Sequence, residues 1–172
     1  MKARYQAAML ALLLTAPALA SPGEDSACLI GRLSADDVSM IVAETLAGRS
    51  EAVIQRLNGP LEVCSGSRGW VADRRGNAPG YTIGVLLRDT LQARLATQGI
   101  DAAVLDRWFA RQSSEFRTTA FATMPQAQLE ASLATLVGNE LSLDAMERNG
   151  AAIGGYLSAL MILERIERGL GM

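Results

Sequence analysis

The sequence contains no histidine, and its single lysine, Lys2, stands at the start of the chain. Without histidine, the chain lacks the usual general base of serine and cysteine hydrolases, the commonest zinc ligand and the proximal ligand of many haems. Without lysine after position 2, Schiff-base chemistry and a phosphate-loop lysine are excluded for the rest of the chain. Carboxylates, hydroxyls and arginines remain for chemistry, and we expect no metal and no cofactor.

The alternation of apolar and polar residues that marks a β-strand is also missing. Apolar residues recur instead at helical spacing, and the segment Ser21–Ala27 is polar and expected to be irregular. The predicted helices begin near Ser34, Ser50, Tyr81, Asp101, Pro125 and Ser142. The sequence therefore predicts an all-α fold, a compact bundle of five to six helices in a single domain over residues 21–172, with a buried C-terminal helix.

Residues 1–20 have the pattern of a secretory signal peptide. Lys2 and Arg4 precede an apolar run of about ten residues, which is too short for a membrane span of about 20 residues. The small residues Ala18 and Ala20 predict cleavage before Ser21. We therefore expect a periplasmic or secreted protein with no membrane span in its mature chain.

Removal of Lys2 and Arg4 would leave 14 basic residues against 18 acidic ones, a formal charge of −4. Nucleic acids and anionic lipids reward clustered positive charge, so this mild acidity argues against nucleic acid as a partner. Cys28 and Cys64 are the only cysteines. In an exported protein such a pair predicts a disulfide bond.

Helical periodicity fails over about residues 60–80, a stretch rich in glycine and containing Pro60 and Pro79. The pattern predicts a long loop tethered by the disulfide, and long loops in compact domains are often functional. Arginine side chains in this loop suit a small carboxylate or phosphate, although solvated arginines in an ordinary loop would give the same pattern. The candidate ligand-binding residues are Arg68, Trp70, Arg74, Arg75 and Asn77.

The last predicted helix carries no charge from Asn149 to Leu163, about 22 Å of helix, which is short of a hydrocarbon core of about 30 Å. Small residues at helical spacing allow another backbone to approach closely. The neighbour is either a helix of the same core or a protein partner, including a second copy of the chain. The candidate packing or interface residues are Gly150, Gly154, Gly155 and Ser158.

These patterns favour a non-enzymatic binding or interaction protein. A partner protein would use the C-terminal helix, and a small anion would use the arginine loop. The alternatives are a hydrolase of glycan or cell-wall material that works with two carboxylates, and a structural component of the cell envelope. The hydrolase predicts a concave pocket that holds two carboxyl groups, one of them with a raised pKa.

Overall fold

The computed structural model describes residues 21–118 and 124–169, and within these residues it contains helices and no strands. The predicted signal peptide lies outside the described residues. Eight helices follow one another along the described chain, against the five to six expected. They are α1 (Pro22–Ile30), α2 (Ala35–Leu46), α3 (Ser50–Arg68), α4 (Ala72–Thr97), α5 (Ala102–Ala110), α6 (Ser114–Thr118), α7 (Gln126–Asn139) and α8 (Leu143–Gly169).

The segment expected to be irregular, Ser21–Ala27, instead forms most of α1. Ser21 is its N-cap and exchanges backbone-to-side-chain hydrogen bonds with Glu24, while Pro22 occupies the first turn. This capping box provides hydrogen-bond partners for free N–H groups at the helix start. Near the other end of α1, Leu29 is fully buried. A short polar segment is therefore helical because its end is capped and its last turns are packed.

The prediction of a long loop over residues 60–80 is also wrong. Helix α3 continues through Pro60 to Arg68, and α4 contains Pro79. The two helices are separated by a short turn that starts at Gly69, whose positive φ of 60° suits glycine.

Tertiary packing explains why α3 survives its internal proline. A proline lacks the N–H of the helical ladder and restricts the residue before it, and here that residue is Gly59, which has no Cβ to clash. Beyond the proline, Leu61 and Cys64 continue the inward face begun by Leu57, and Cys64 is fully buried. Packing on both sides of Pro60 therefore offsets the lost hydrogen bond.

Helix α8 packs antiparallel to α4 along most of its length, and glycines bring the two backbones together. A Cβ on Gly84 would lie 2.9 Å from Leu163 Cδ2, and one on Gly155 would lie 2.9 Å from Leu91 Cδ1. Helix α8 also contacts α5, α6 and α7. The expected central position of the C-terminal helix is confirmed.

Aromatic residues of α5 and α6 pack into the core. The rings of Trp108 and Phe116 meet edge to face with centroids 5.5 Å apart, and Trp108 Nε1 donates to Thr135 Oγ1 at 3.0 Å. The single helix expected after Asp101 is divided, because α5 ends at Ala110 and α6 starts at Ser114. The part of that prediction over residues 119–123 lies outside the described residues.

A smaller apolar cluster lies beside the main core and contains the predicted disulfide. Cys28 and Cys64 are bonded, which ties α1 to the last turns of α3. Leu29, Ala78 and the half-buried Trp70 pack around the bridge. Among the described helices, none is long and apolar enough to cross a membrane.

Candidate functional site

The three candidate arginines each bind a different acceptor on α1 or α3. Arg68 Nη1 donates to the backbone carbonyl of Glu24 at 3.1 Å, and Arg74 Nε donates to Asp25 Oδ2 at 3.1 Å. Arg75 pairs with Glu62. The guanidinium groups are thus directed toward separate partners of the same chain, and these contacts hold the helix ends together.

Asp25 is the inner member of this arrangement, with only 3% of its surface exposed. Burial raises the pKa of its carboxyl group, while the charges of Arg74 and then Arg68 act in the opposite direction. A buried carboxylate requires such partners, because an unpaired charge inside a protein is strongly destabilising. Arg74 therefore neutralises an internal acid.

The remaining two candidate ligand residues lie in different surroundings. Trp70 packs against the disulfide cluster. Asn77 faces a depression of about 270 Å³ at the groove between α4 and α8. That depression is lined by Gly76, Asn77, Gly80, Arg165, Ile166 and Gly169. The structure therefore keeps Arg68 and Arg74 near one acid, Asp25, and separates Arg75 and Trp70 from them. Asn77 instead shares a depression with Arg165.

A second depression, of about 240 Å³, carries three carboxylates from α5 and α8: Asp106, Glu164 and Glu167. Tyr156 donates its hydroxyl to Asp106 Oδ1 at 2.9 Å, and Tyr81 donates to Glu167 Oε1 at 3.0 Å. Burial, followed by the bond to its carboxylate, raises the pKa of each tyrosine hydroxyl.

The third carboxylate of this depression is held by two arginines. Glu164 Oε1 lies 2.9 Å from Arg117 Nη1 and 2.7 Å from Arg168 Nη2. All three carboxylates are thus occupied within the monomer, and their bonds connect α4, α5 and α6 to α8. The arrangement acts as a network that fixes the neighbours of the central helix.

The candidate residues of α8 divide into two sets. Gly155 packs inward against Leu91 and Leu46, whereas a Cβ on Gly150 or Gly154 would meet no atom within 4 Å. Ser158 donates its hydroxyl to the Gly154 carbonyl at 2.8 Å and is partly exposed.

Five residues lie on the open side of α8, and we call them the outer face of α8: Glu147, Ala151, Gly154, Ser158 and Arg165. Met161, on the same side between Ser158 and Arg165, is buried and interrupts the exposed surface there. Glu147, Ala151 and Arg165 are exposed, while Gly154 and Ser158 are partly exposed. These positions recur at three- and four-residue steps, with one seven-residue step, so they lie on one side of the helix.

Sequence reasoning missed the two charged ends of this face, Glu147 and Arg165. A usable signal was present, because their separation of 18 residues (165 minus 147) makes five helical turns. What the sequence alone did not supply was the side of α8 that faces solvent.

Within the described part of the chain, no group of three or more acidic or cysteine side chains could hold a metal ion. No known protein family matches this chain, and no curated protein or solved structure is similar to it.

Proposed function

We propose that this is an exported, non-enzymatic interaction protein that binds another polypeptide through the outer face of α8. The observation that carries the proposal is the open space around Gly150 and Gly154 in the middle of the longest helix. Glycine in a helix interior costs about 1 kcal/mol relative to alanine. Contacts within the monomer account for Gly155, but they do not account for these two positions.

A protein partner accounts for Gly150 and Gly154, because glycine lets a second backbone approach a helix closely. The face is uncharged between Glu147 and Arg165, so it suits contact with a chain better than contact with a small ion. Leu46 adds apolar surface beside it, since this side chain contacts Gly155 and is still 47% exposed.

Export is supported by the disulfide bond, because such bonds persist in oxidising compartments outside the cytosol. It is also supported by the capping role of Ser21, the first residue after the predicted cleavage site. The proposed location is therefore the periplasm or the cell exterior.

The hydrolase alternative receives less support from the geometry. The acid whose pKa burial raises, Asp25, pairs with Arg74 near the start of α4. The depression with three carboxylates includes Arg88, which is 14 residues further along α4, or about 21 Å of helix. The carboxyl group with a raised pKa, Asp25, therefore lies in a different part of the molecule from the depression that holds several carboxyl groups.

The proposal is tested by photo-crosslinking in cells that express the full chain. A photoreactive residue replaces Gly154 on the outer face, and the same residue replaces the exposed Gly66 on α3 as the control. At both glycines an added Cβ would meet no atom within 4 Å. We expect a protein adduct from position 154, none from position 66, and loss of the adduct when Gly150→Leu obstructs the face.

Equal labelling from both positions, or no labelling from position 154, would remove the support for an interaction through α8.

A further inference from the structure

The charges of α8 are paired within the monomer, with two exceptions. Asp144 pairs with Arg148 at 2.6 Å. Glu164, Glu167 and Arg168 belong to the network described above. Glu147 and Arg165 have no hydrogen bond or ion pair to any described residue, and both are exposed.

These two unpaired charges are opposite in sign and lie on the same side of the helix. Five turns separate them, which is about 27 Å along the axis. Glu147 and Arg165 of one chain are therefore too far apart to contact each other. Each of them is free to pair with an opposite charge on another molecule.

The midpoint between Glu147 and Arg165 is the level of residue 156, and the midpoint between Gly154 and Ser158 is the same level. A second α8 that ran antiparallel about this level would place Glu147 opposite Arg165 at both ends. It would also place Gly154 opposite Ser158 on both sides of the centre. The face is thus complementary to itself under a twofold rotation, as a closed dimer requires.

A parallel arrangement has the opposite electrostatic result. It would place Glu147 against Glu147 and Arg165 against Arg165, and like charges in close contact oppose association. Self-complementarity therefore exists in one orientation only.

From these observations, and resting on the proposed function, we propose that the partner is a second copy of this chain, bound antiparallel along α8 and closed at each end by a Glu147–Arg165 ion pair. The contact strip is about 27 Å by about 10 Å, so it is smaller than the roughly 800 Å² per partner of a standard stable interface. Association is accordingly weak, and the dimer forms as the protein concentration rises.

Charge reversal tests this arrangement on the exported protein purified after expression of the full chain. Sedimentation measures the dimer dissociation constant for wild type, Glu147→Arg, Arg165→Glu and the double variant. Each single reversal should raise the dissociation constant by about tenfold or more, because two attractive contacts become repulsive. The double variant should return to the wild-type value, because both pairs form again with exchanged signs.

A matched control reverses two charges away from α8. Glu51 and Arg107 are exposed and have no ion pair to a described residue, so Glu51→Arg with Arg107→Glu makes the same exchange of charge elsewhere. This control should leave the dissociation constant unchanged.

The outcomes separate the two proposals. A dimer that ignores both single reversals, or a double variant weaker than either single one, would overturn the antiparallel pairing. A monomer at every concentration whose position 154 crosslinks to a different protein would overturn the second copy and leave the proposed function standing. A monomer without any crosslink from position 154 would overturn both.

Discussion

The glycines of this chain have different physical roles, and the difference separates those that pack within the monomer from those on the proposed interface. Gly84 lets α4 contact α8, because any Cβ there would press on Leu163 and Ile162. Gly69 ends α3 in the left-handed conformation. Gly150 and Gly154 do neither, since they are helical and have free space around them. No contact with a described residue accounts for them, and Gly59, Gly66, Gly76 and Gly138 share these open surroundings. What distinguishes Gly150 and Gly154 is their position between Glu147 and Arg165 on one helix.

A pair of alanine substitutions tests this distinction. Gly84→Ala should lower the free energy of unfolding by about 1–3 kcal/mol, because its Cβ would lie 2.9 Å from a buried Leu163 atom. Gly150→Ala should raise it by about 0.5–1 kcal/mol, because alanine favours the helix and meets no neighbour. Urea unfolding at a low protein concentration measures both. Equal effects would mean that the two sites have the same surroundings.

Asp25 gives stability a dependence on pH with a defined sign. Its folded pKa is raised above 3.8, so its contribution to the free energy of unfolding is complete below the unfolded pKa. That contribution is lost as the pH rises through the folded value. The loss should be absent in Asp25→Asn, which mimics the protonated acid. When the free energy of unfolding is measured from pH 3.5 upward, the value for the wild type should therefore fall relative to that of Asp25→Asn as the pH rises.

A difference that stays constant with pH, or moves in favour of the wild type, would contradict the raised pKa of Asp25.

At the scale of elements, the sequence predicted the helical class, the disulfide and the central C-terminal helix. These features follow from periodicity and from cysteine chemistry, which are local or nearly local. The prediction of a long loop was wrong because the glycines and prolines of residues 60–80 interrupt the apolar period while the chain stays helical on both sides of Gly69. Packing against neighbouring helices stabilises α3 and α4 despite their internal prolines, Pro60 and Pro79. The spacing of Leu57, Leu61 and Cys64 already continued a helical face through Pro60.

The candidate site was predictable only in part for the same reason. The outward direction of Gly154 depends on where α4 and α6 cover α8, which no local pattern states. Arg68, Arg74 and Arg75 were chosen for their chemistry, but α1 supplies acceptors for two of them and α3 for the third. The sequence alone does not show that these acceptors on α1 and α3 lie beside the three arginines.

The disulfide is expected to stabilise α1 against the end of α3. It joins residues 36 apart in sequence, so its loss should cost about 4 kcal/mol in the chain-entropy description. A reductant should therefore lower the urea midpoint markedly. The variant with Cys28→Ser and Cys64→Ser should already be less stable and should not respond to the reductant. An unchanged midpoint in the reduced wild type would show that the bridge contributes nothing.

For the whole molecule, α8 has two kinds of surface. Its inner sides pack mainly against α4, α5, α6 and α7, with Leu46 of α2 at Gly155, and carry much of the core, which includes the fully buried Ile153, Leu157 and Ala159. Its remaining side is open, uncharged in the middle and charged at both ends. A rigid central helix with one open side presents a fixed surface, because its backbone is already held by the fold. That property suits recognition of another helix better than recognition of a small molecule.

The most direct test of this account is the molar mass of the exported protein in solution across a hundredfold range of concentration, for wild type and for Gly154→Leu. The account predicts that the wild-type mass rises toward twice that of one chain. The variant should stay monomeric with unchanged helical content, because a Cβ at position 154 meets no atom within 4 Å in the monomer and the larger side chain obstructs a second backbone. A wild type that remains monomeric throughout, or a variant that dimerises equally well, would contradict the claim that the outer face of α8 joins two copies.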